Sequence, residues 1–122
     1  MKRILIIDDE KDFCFFLKKN LQKISHLEIL ICDDALKALE SAESFKPDLI
    51  LLDILMPHLS GPELARELKK KEATKNTPVV FLTALSSPEA LEHIGPENPE
   101  PAIITKPIVI SQLVAIIDKL VS

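Results

Sequence analysis

Short apolar runs alternate with longer stretches of helical periodicity along the whole chain. The apolar runs predict strands over residues 3–7, 27–32, 49–52, 79–82 and 102–104. The longer stretches predict helices over residues 10–24, 62–71, 88–94 and 110–121, and a further helix between the second and third strands. Unbroken apolar strands such as the first are expected when both faces of a sheet are buried. Strand–helix alternation favours a parallel sheet with helices on both faces, so we predict a doubly wound α/β domain.

Several acidic residues have ordinary structural interpretations. Asp33 or Asp34 is placed to cap the second predicted helix, because an Asp after a strand is often a helix N-cap. The inner face of that helix is predicted to carry Leu36, Leu39 and Ala42. Asp48, which follows a proline at the start of a strand, is interpreted as a turn residue.

Charge and aromatic content argue against direct binding to nucleic acid. The 122 residues are enough for one domain, and 15 Lys and Arg against 19 Asp and Glu give a net charge of −4. Neutralising phosphates requires a basic face. The chain also contains no Trp and no Tyr, which removes most of the surface on which bases stack.

The sequence predicts a cytoplasmic protein without membrane insertion. No apolar run approaches the ~18 residues that a bilayer span requires. The basic first residues are followed too early by Asp8 and Asp9 for a signal peptide. Cys14 and Cys32 lack metal-ligand spacing and are predicted to be reduced thiols with a packing role.

Polar residues follow four of the predicted strands. They are Asp8 and Asp9 after the first strand, Asp53 after the third, Thr83 after the fourth, and Lys106 with Pro107 after the fifth. In open α/β sheets the functional crevice lies beyond the carboxyl ends of the strands. A lone Thr or Lys at such a place is usually structural, but capping does not account for the whole combination. These residues are therefore the candidate functional site.

Three carboxylates at neighbouring strand ends would repel one another. Two like charges about 4 Å apart repel by roughly 4 kcal/mol at an effective dielectric of 20. If the first and third strands are neighbours, Asp8, Asp9 and Asp53 therefore require compensation. Mg2+ provides it, since it prefers carboxylate oxygens and water and leaves positions open for a phosphate. Lys106 and the Thr83 hydroxyl on the opposite rim suit a phosphoryl oxygen better than an organic substrate.

The chain resembles the response-regulator receiver domain of two-component signal transduction over essentially all of its length. Receivers carry the same residue types in the same order, here Asp8 and Asp9, Asp53, Thr83 with the small Ala84, and Lys106 with Pro107. Pro57 and Gly61 match the family's pattern in the loop after the phosphoacceptor. The resemblance implies a flavodoxin-like sheet with strand order 2-1-3-4-5. It also implies a cis peptide bond before Pro107.

The resemblance further implies that Asp53 is the phosphoacceptor. Its carboxylate is expected to attack a phosphohistidine of a sensor histidine kinase or phosphotransfer protein, and so to form an aspartyl phosphate. Asp9 is expected to bind Mg2+ directly and Asp8 largely through water. Asp53 and the backbone carbonyl of Leu55 would complete the metal site. Glu10, beside the acidic pair, is given at most a supporting role.

The other rim of the site is expected to hold the phosphoryl group. Lys106 is expected to pair with the Asp53 carboxylate in the empty site and with a phosphoryl oxygen afterwards. The Thr83 hydroxyl and the Ala84 amide would hold another oxygen, and movement of Thr83 would transmit the state.

Three alternatives are weighed against this interpretation. A dinucleotide-binding protein needs a Gly-rich turn after the first strand, yet the only glycines are Gly61 and Gly95. An aspartyl-phosphate phosphatase would carry a second acid two residues after the nucleophile, where this chain has Leu55. A receiver-like module that no longer takes phosphate is disfavoured by the intact set of site residues. We expect one receiver domain over residues 1–122, without an output domain and without catalysis beyond its own phosphorylation and dephosphorylation.

Three positions depart from the family's usual residues. Leu55 and Leu85 stand where side chains influence the water that hydrolyses the acyl phosphate, and neither orients a water by hydrogen bonding. We therefore expect a long-lived phosphorylated form. Ile103 occupies the place of the usual Tyr or Phe, so rotation of an aromatic side chain is not expected to be the readout.

The region before the last helix is also unusual. Gly95 and Pro96 are expected to shorten the fourth predicted helix, and Pro99 and Pro101 to hold the next segment extended. The last helix has an apolar arc wider than a core-facing helix requires. Two interpretations stay open: the proline-rich segment covers this arc, or the arc is a surface for a partner or a second copy, controlled by phosphorylation.

Overall fold

The computed structural model describes residues 1–24, 26–84 and 102–121. Its five strands are β1 (Lys2–Ile7), β2 (Leu27–Cys32), β3 (Leu49–Asp53), β4 (Val79–Thr83) and β5 (Ala102–Thr105). They form one sheet in the order β2-β1-β3-β4-β5, and every neighbouring pair is parallel. The predicted fold class and strand order are confirmed. Strands β1 and β3 are neighbours, which brings their carboxyl ends side by side.

The described part of the chain contains four α-helices. They are α1 (Lys11–Leu21), α2 (Ala38–Phe45), α3 (Gly61–Lys69) and α4 (Ile110–Val121). The first ends three residues earlier than predicted, because the chain turns toward β2 after Leu21. The short helix predicted over residues 88–94 lies outside the described residues. Among the helices described, none has the length and apolar character needed to cross a membrane.

The sheet separates two apolar cores. Ile4 and Ile6 of β1 face one core, which also contains Leu17 of α1 and Leu113 of α4. Leu5 and Ile7 of β1 face the other, together with residues of α2 and α3. Successive side chains of a strand point to opposite faces, so a strand that is covered on both sides must be apolar at every position. This arrangement explains the unbroken apolar runs of the sequence.

The start of α2 differs from the prediction at one residue. The Asp34 side chain accepts a hydrogen bond from the Leu36 backbone N–H at 3.0 Å, so the predicted cap is confirmed. Leu36, however, is 68% exposed rather than internal. It lies in a 3-10 turn (Ala35–Lys37) that precedes α2, and this tighter winding removes it from the apolar stripe of Leu39 and Ala42.

Asp48 links the start of β3 to the start of β1 by hydrogen bonds. Its Oδ2 accepts a hydrogen bond from the Arg3 backbone N–H at 2.8 Å, and its own N–H donates to the Arg3 carbonyl at 2.7 Å. The residue interpreted as part of a turn therefore also aligns β3 with β1, at the edge of the sheet opposite to the candidate site.

Both cysteines are buried free thiols. Cys14 Sγ donates to the Asp8 backbone carbonyl at 3.2 Å, and burial raises the pKa of Cys14 to about 12. A thiol that stays protonated is a poor nucleophile and a poor metal ligand, which agrees with the predicted packing role.

Part of the wide apolar arc of α4 packs inside the molecule. Leu113 and Ile117 are fully buried, and Val114 and Val121 are half-buried against the core on the α1 side. Leu120 remains 39% exposed. The proline-rich segment at residues 95–101, which one interpretation places over this arc, lies outside the described residues.

Candidate functional site

Asp8 lies at the end of β1 as a fully buried carboxylate. Its Oδ1 accepts a hydrogen bond from the Glu10 backbone N–H at 2.9 Å, and its Oδ2 accepts one from Lys106 Nζ at 2.9 Å. Burial raises the pKa of Asp8, although both hydrogen bonds act in the opposite direction. Each oxygen of this carboxylate therefore has a fixed partner.

Asp53 is the last residue of β3 and is 6% exposed. Burial, assisted by the negative charge of Asp8, raises the pKa of Asp53 to about 7. The positive charge of Lys106 and a hydrogen bond from the Leu55 backbone N–H oppose this rise. A pKa of about 7 means that, at neutral pH and without a cation, neither the protonated nor the ionised form of this carboxyl group dominates.

One carboxylate oxygen from each of Asp8, Glu10 and Asp53 lies within 4.8 Å of the others. The donor set consists only of oxygen atoms with negative charge, which is the set that a hard cation such as Mg2+ prefers. The side chains present therefore fit Mg2+. A bound cation would favour the ionised form of Asp53 and so lower its raised pKa. This electrostatic attraction is the physical reason why a cation would bind here.

Asp9 does not join this cluster among the described residues. It is exposed, and it lines a neighbouring depression of about 380 Å³ together with Asp33, Asp34 and Pro57. Direct binding of Mg2+ by Asp9, with Asp8 acting largely through water, stays a prediction. The Glu10 N–H and Lys106 hold the Asp8 carboxylate inside the site. Asp9 still acts on Asp53 through its charge, which raises the pKa of that group.

Lys106 has partners that the sequence did not indicate. Its Nζ donates to Asp8 Oδ2 at 2.9 Å and to Glu10 Oε1 at 2.8 Å, and it lies 4.1 Å from the centroid of the Phe13 ring. Burial acts to lower the pKa of Lys106, but the bonds to Glu10 and Asp8 raise it above its ordinary value. The expected pair with Asp53 is not formed in this structure, because two nearer carboxylates take the ammonium group.

Thr83 is the last residue of β4, on the other side of Asp53 from β1, and Ala84 follows it. Asp53 is paired with Leu82 across the β3–β4 ladder, so Thr83 lies one residue further along the neighbouring strand. Thr83 is 2% exposed, whereas Ala84 is exposed. The Lys106 N–H donates to the Thr83 carbonyl at 2.8 Å, which ties the two strand ends together. The Lys106–Pro107 peptide bond is cis.

The loop after Asp53 is held close to it. Gly61 N–H donates to the Ile54 carbonyl at 2.8 Å, and a Cβ atom at Gly61 would overlap the Asp53 backbone carbonyl oxygen. Only glycine allows α3 to begin this near to β3. Leu55 is 48% exposed at the edge of the site. Of the other singled-out positions, Ile103 packs against the core beside α2 and α3, and Leu85 lies outside the described residues.

The sequence matches the family model of the response regulator receiver domain over residues 4–118. The chain belongs to this family. It is a receiver domain of the kind found in two-component systems, in which such domains interact with sensor histidine kinases and with downstream effectors.

The chain is also similar in sequence and in structure to individual known proteins. Over 83 residues the receiver is 37% identical to the alkaline phosphatase synthesis transcriptional regulatory protein PhoP of Bacillus subtilis, covering 68% of this chain and 33% of that protein. Over 110 residues it is 36% identical to a probable cyclic di-GMP phosphodiesterase of Vibrio cholerae, covering 90% of this chain and 24% of that protein. The chain thus spans a third or less of these relatives. Among solved structures, the Vibrio cholerae chemotaxis protein CheY4 superposes with a TM-score of 0.87 at 25% identity, over 98% of each chain.

Two residues of the receiver site were missed by sequence reasoning. Glu10 was given a supporting role at best, yet it bonds Lys106 and belongs to the oxygen cluster. Phe13 was not singled out, yet its ring covers the Lys106 ammonium. Both contacts span more than 90 positions of sequence and depend on where the Lys106 side chain reaches from the end of β5, which periodicity does not specify.

Proposed function

We propose that this receiver takes a phosphoryl group from a phosphohistidine onto Asp53 and thereby switches a protein-interaction surface. The observation that carries the proposal is the cluster of Asp8, Glu10 and Asp53 oxygens within 4.8 Å at the ends of adjacent strands. The Asp53 carboxyl group is buried with its pKa raised to about 7, and it lies close enough to Lys106 to feel its charge, which suits transfer of a phosphoryl group onto its oxygen.

The transfer replaces one phosphorus bond by another. An Asp53 carboxylate oxygen forms a bond to phosphorus while the P–N bond to the donor imidazole breaks. The electron pair of that bond stays on the nitrogen, which takes up a proton. Bound Mg2+ would neutralise the oxygens of the transferring group, and Asp8, Asp9, Asp53 and the Leu55 carbonyl are its proposed ligands.

Three residues are proposed to hold the product. Lys106 would contact one phosphoryl oxygen, and the Thr83 hydroxyl with the Ala84 N–H would contact another. Their backbone placement at or just after the carboxyl ends of β4 and β5, the strands that follow β3 in the sheet, supports these roles. Thr83 would then move toward the phosphoryl group and pass the change to the segment after β4. Ile103 gives this response no aromatic side chain to rotate.

The proposed partners are proteins rather than nucleic acid or membrane. A sensor histidine kinase or phosphotransfer protein would donate the phosphoryl group in the cytoplasm. The output would leave through the face formed by β5, α4 and the segment before β5, either to a protein target or to a second copy. Leu120, at 39% exposed, supports an apolar contact there. The receiver would catalyse only its own phosphorylation and dephosphorylation.

Acetyl phosphate with Mg2+ tests the proposal. The wild-type protein should acquire one acid-stable, hydroxylamine-labile phosphate, and Asp53→Ala should acquire none. Asp48→Asn is the matched control, because Asp48 lies at the opposite end of the same strand and should leave labelling unchanged. Label retained by Asp53→Ala, or no label on the wild-type protein, would refute the assignment.

Output through the α4 face has its own test. Leu120→Glu should leave labelling intact and abolish any association that phosphorylation induces. Val114 and Val121 are less suitable for substitution, because both pack against the core. A phosphorylated wild-type protein that stays monomeric at high concentration would exclude self-association and leave only a different protein as the target.

A further inference from the structure

The Lys106 ammonium group is surrounded on three sides. It donates to Asp8 Oδ2 at 2.9 Å and to Glu10 Oε1 at 2.8 Å, and the Phe13 ring centroid lies 4.1 Å from Nζ. An ammonium has three N–H donors. Here it donates to two carboxylates, and the face of an aromatic ring lies beside it. The Lys106 side chain is only 11% exposed. The ion pairs of Lys106 among the described residues do not include Asp53.

These three partners differ in how firmly they are fixed. Asp8 is fully buried, whereas the Glu10 side chain is 61% exposed and its ion pair is correspondingly weak. Phe13 lies in the first turns of α1 and packs against the core on the α1 side. Its ring is therefore anchored by apolar packing, and its contact with Lys106 carries no net charge of its own.

We infer that Phe13 is a positioning residue, whose ring holds the Lys106 ammonium on the Asp8–Glu10 side of the site and away from Asp53. The inference rests on the proposed function, which gives Lys106 the task of binding a phosphoryl oxygen. To bind that oxygen, the ammonium has to leave the ring. The aromatic contact therefore competes with phosphoryl capture, and a weaker contact favours capture.

The size of the effect follows from the contact. A cation–π interaction at a partly exposed to desolvated site is equivalent to about two- to thirtyfold in an equilibrium constant. Replacing Phe13 by Leu removes the ring but keeps most of the apolar volume against the core. Phe16 offers a matched control. It lies on the same helix and, like Phe13, lines a surface groove that also contains Lys106 and Ile108, but its ring does not cover the Lys106 ammonium.

Nuclear magnetic resonance of the whole chain tests the contact directly. The Lys106 Hε protons of the wild-type protein should resonate upfield of ordinary lysines, because they lie over a ring face. Phe13→Leu should abolish this displacement, and Phe16→Leu should retain it. Adding Mg2+ with beryllofluoride, which mimics a phosphoryl group on a carboxylate, should return the wild-type signal to the ordinary lysine position. A wild-type signal that is never displaced, or that stays displaced with the analogue bound, would overturn the inference.

Affinity for the same analogue tests the competition. Phe13→Leu should bind Mg2+ and beryllofluoride about two- to thirtyfold more tightly than the wild-type protein, and Phe16→Leu should bind as the wild type does. Phe13→Met provides a second variant of similar volume and should behave like Phe13→Leu. Equal or weaker binding by both Phe13 variants, or the same gain in Phe16→Leu, would refute the competition. If the wild-type protein bound no analogue at all, the proposed function would fail and the competition with it, whereas an upfield lysine signal would still establish the contact.

Discussion

The ionised Asp53 carboxylate should destabilise the receiver when no cation is bound. Burial and the charge of Asp8 raise its pKa from 3.8 to about 7. Between these values the folded state keeps a proton that the unfolded chain has lost, so the folded state binds more protons. The free energy of unfolding therefore falls as the pH rises from about 4 to 7. At about 1.36 kcal/mol per pKa unit, the loss is on the order of 4 kcal/mol.

Asp53→Asn should remove this loss, because the amide keeps the shape of the carboxyl group without its charge. In the presence of a chelator, urea unfolding at pH 5, 6, 7 and 8 should show a wild-type stability that declines with pH. Asp53→Asn should show a much flatter profile and should exceed the wild-type stability most at pH 8. Asp12→Asn is the control, because it removes an exposed carboxylate from the first turn of α1 and should keep the wild-type slope.

Addition of Mg2+ completes this test. Free Mg2+ at one hundred times its Kd should stabilise the wild-type protein by about 2.7 kcal/mol, and it should stabilise Asp53→Asn much less. Parallel pH profiles for the wild-type protein and Asp53→Asn would refute the reasoning, since the decline would then have another origin.

Three further predictions concern single side chains. Leu55→Asn and Leu85→Glu should each shorten the lifetime of the phosphorylated form, measured as loss of label after removal of the donor, because the new side chains can orient the hydrolytic water by hydrogen bonding; unchanged decay would contradict this reasoning. Gly61→Ala should lower the free energy of unfolding by about 1–3 kcal/mol, because its Cβ would overlap the Asp53 carbonyl oxygen. Asp34→Ala should cost about 1 kcal/mol in urea unfolding through loss of the helix cap, and a neutral result would show that the cap contributes nothing.

The sequence was sufficient to predict the sheet, because parallel strands that are buried on both faces are continuously apolar. Ile4 to Ile7 are apolar throughout, and the matching run at Leu49 to Leu52 pairs with them directly. The candidate site followed from the same logic, since the residue after each strand must lie at the same edge of the sheet. Periodicity did not predict the exposure of Leu36, because a 3-10 turn before α2 rotates this residue out of the apolar stripe of the helix.

At the site, the hydrogen-bond partners of the side chains were harder to predict than the placement of the residues at the strand ends. A lysine at the end of β5 was expected to pair with Asp53, but three carboxylates lie within its reach and geometry alone decides among them. Glu10 bonds Lys106 because the lysine side chain reaches from the end of β5 to the residue that precedes α1. Pattern analysis fixes the ends of elements to within a few residues, whereas the choice between two carboxylates depends on a few ångströms.

The division of the interior by the sheet has a consequence for how this molecule tolerates change. Substitutions beside α1 and α4 and substitutions beside α2 and α3 are separated by a layer of backbone, so their effects on stability should add. Each compartment is then free to change its composition while the other keeps its own, provided that volume is conserved. The rim of strand ends has no such freedom, because Asp8, Asp53 and Lys106 interact with one another through a hydrogen bond and through their charges. A chain that shares 25% of its residues with CheY4 and still superposes with a TM-score of 0.87 is what such independent compartments allow.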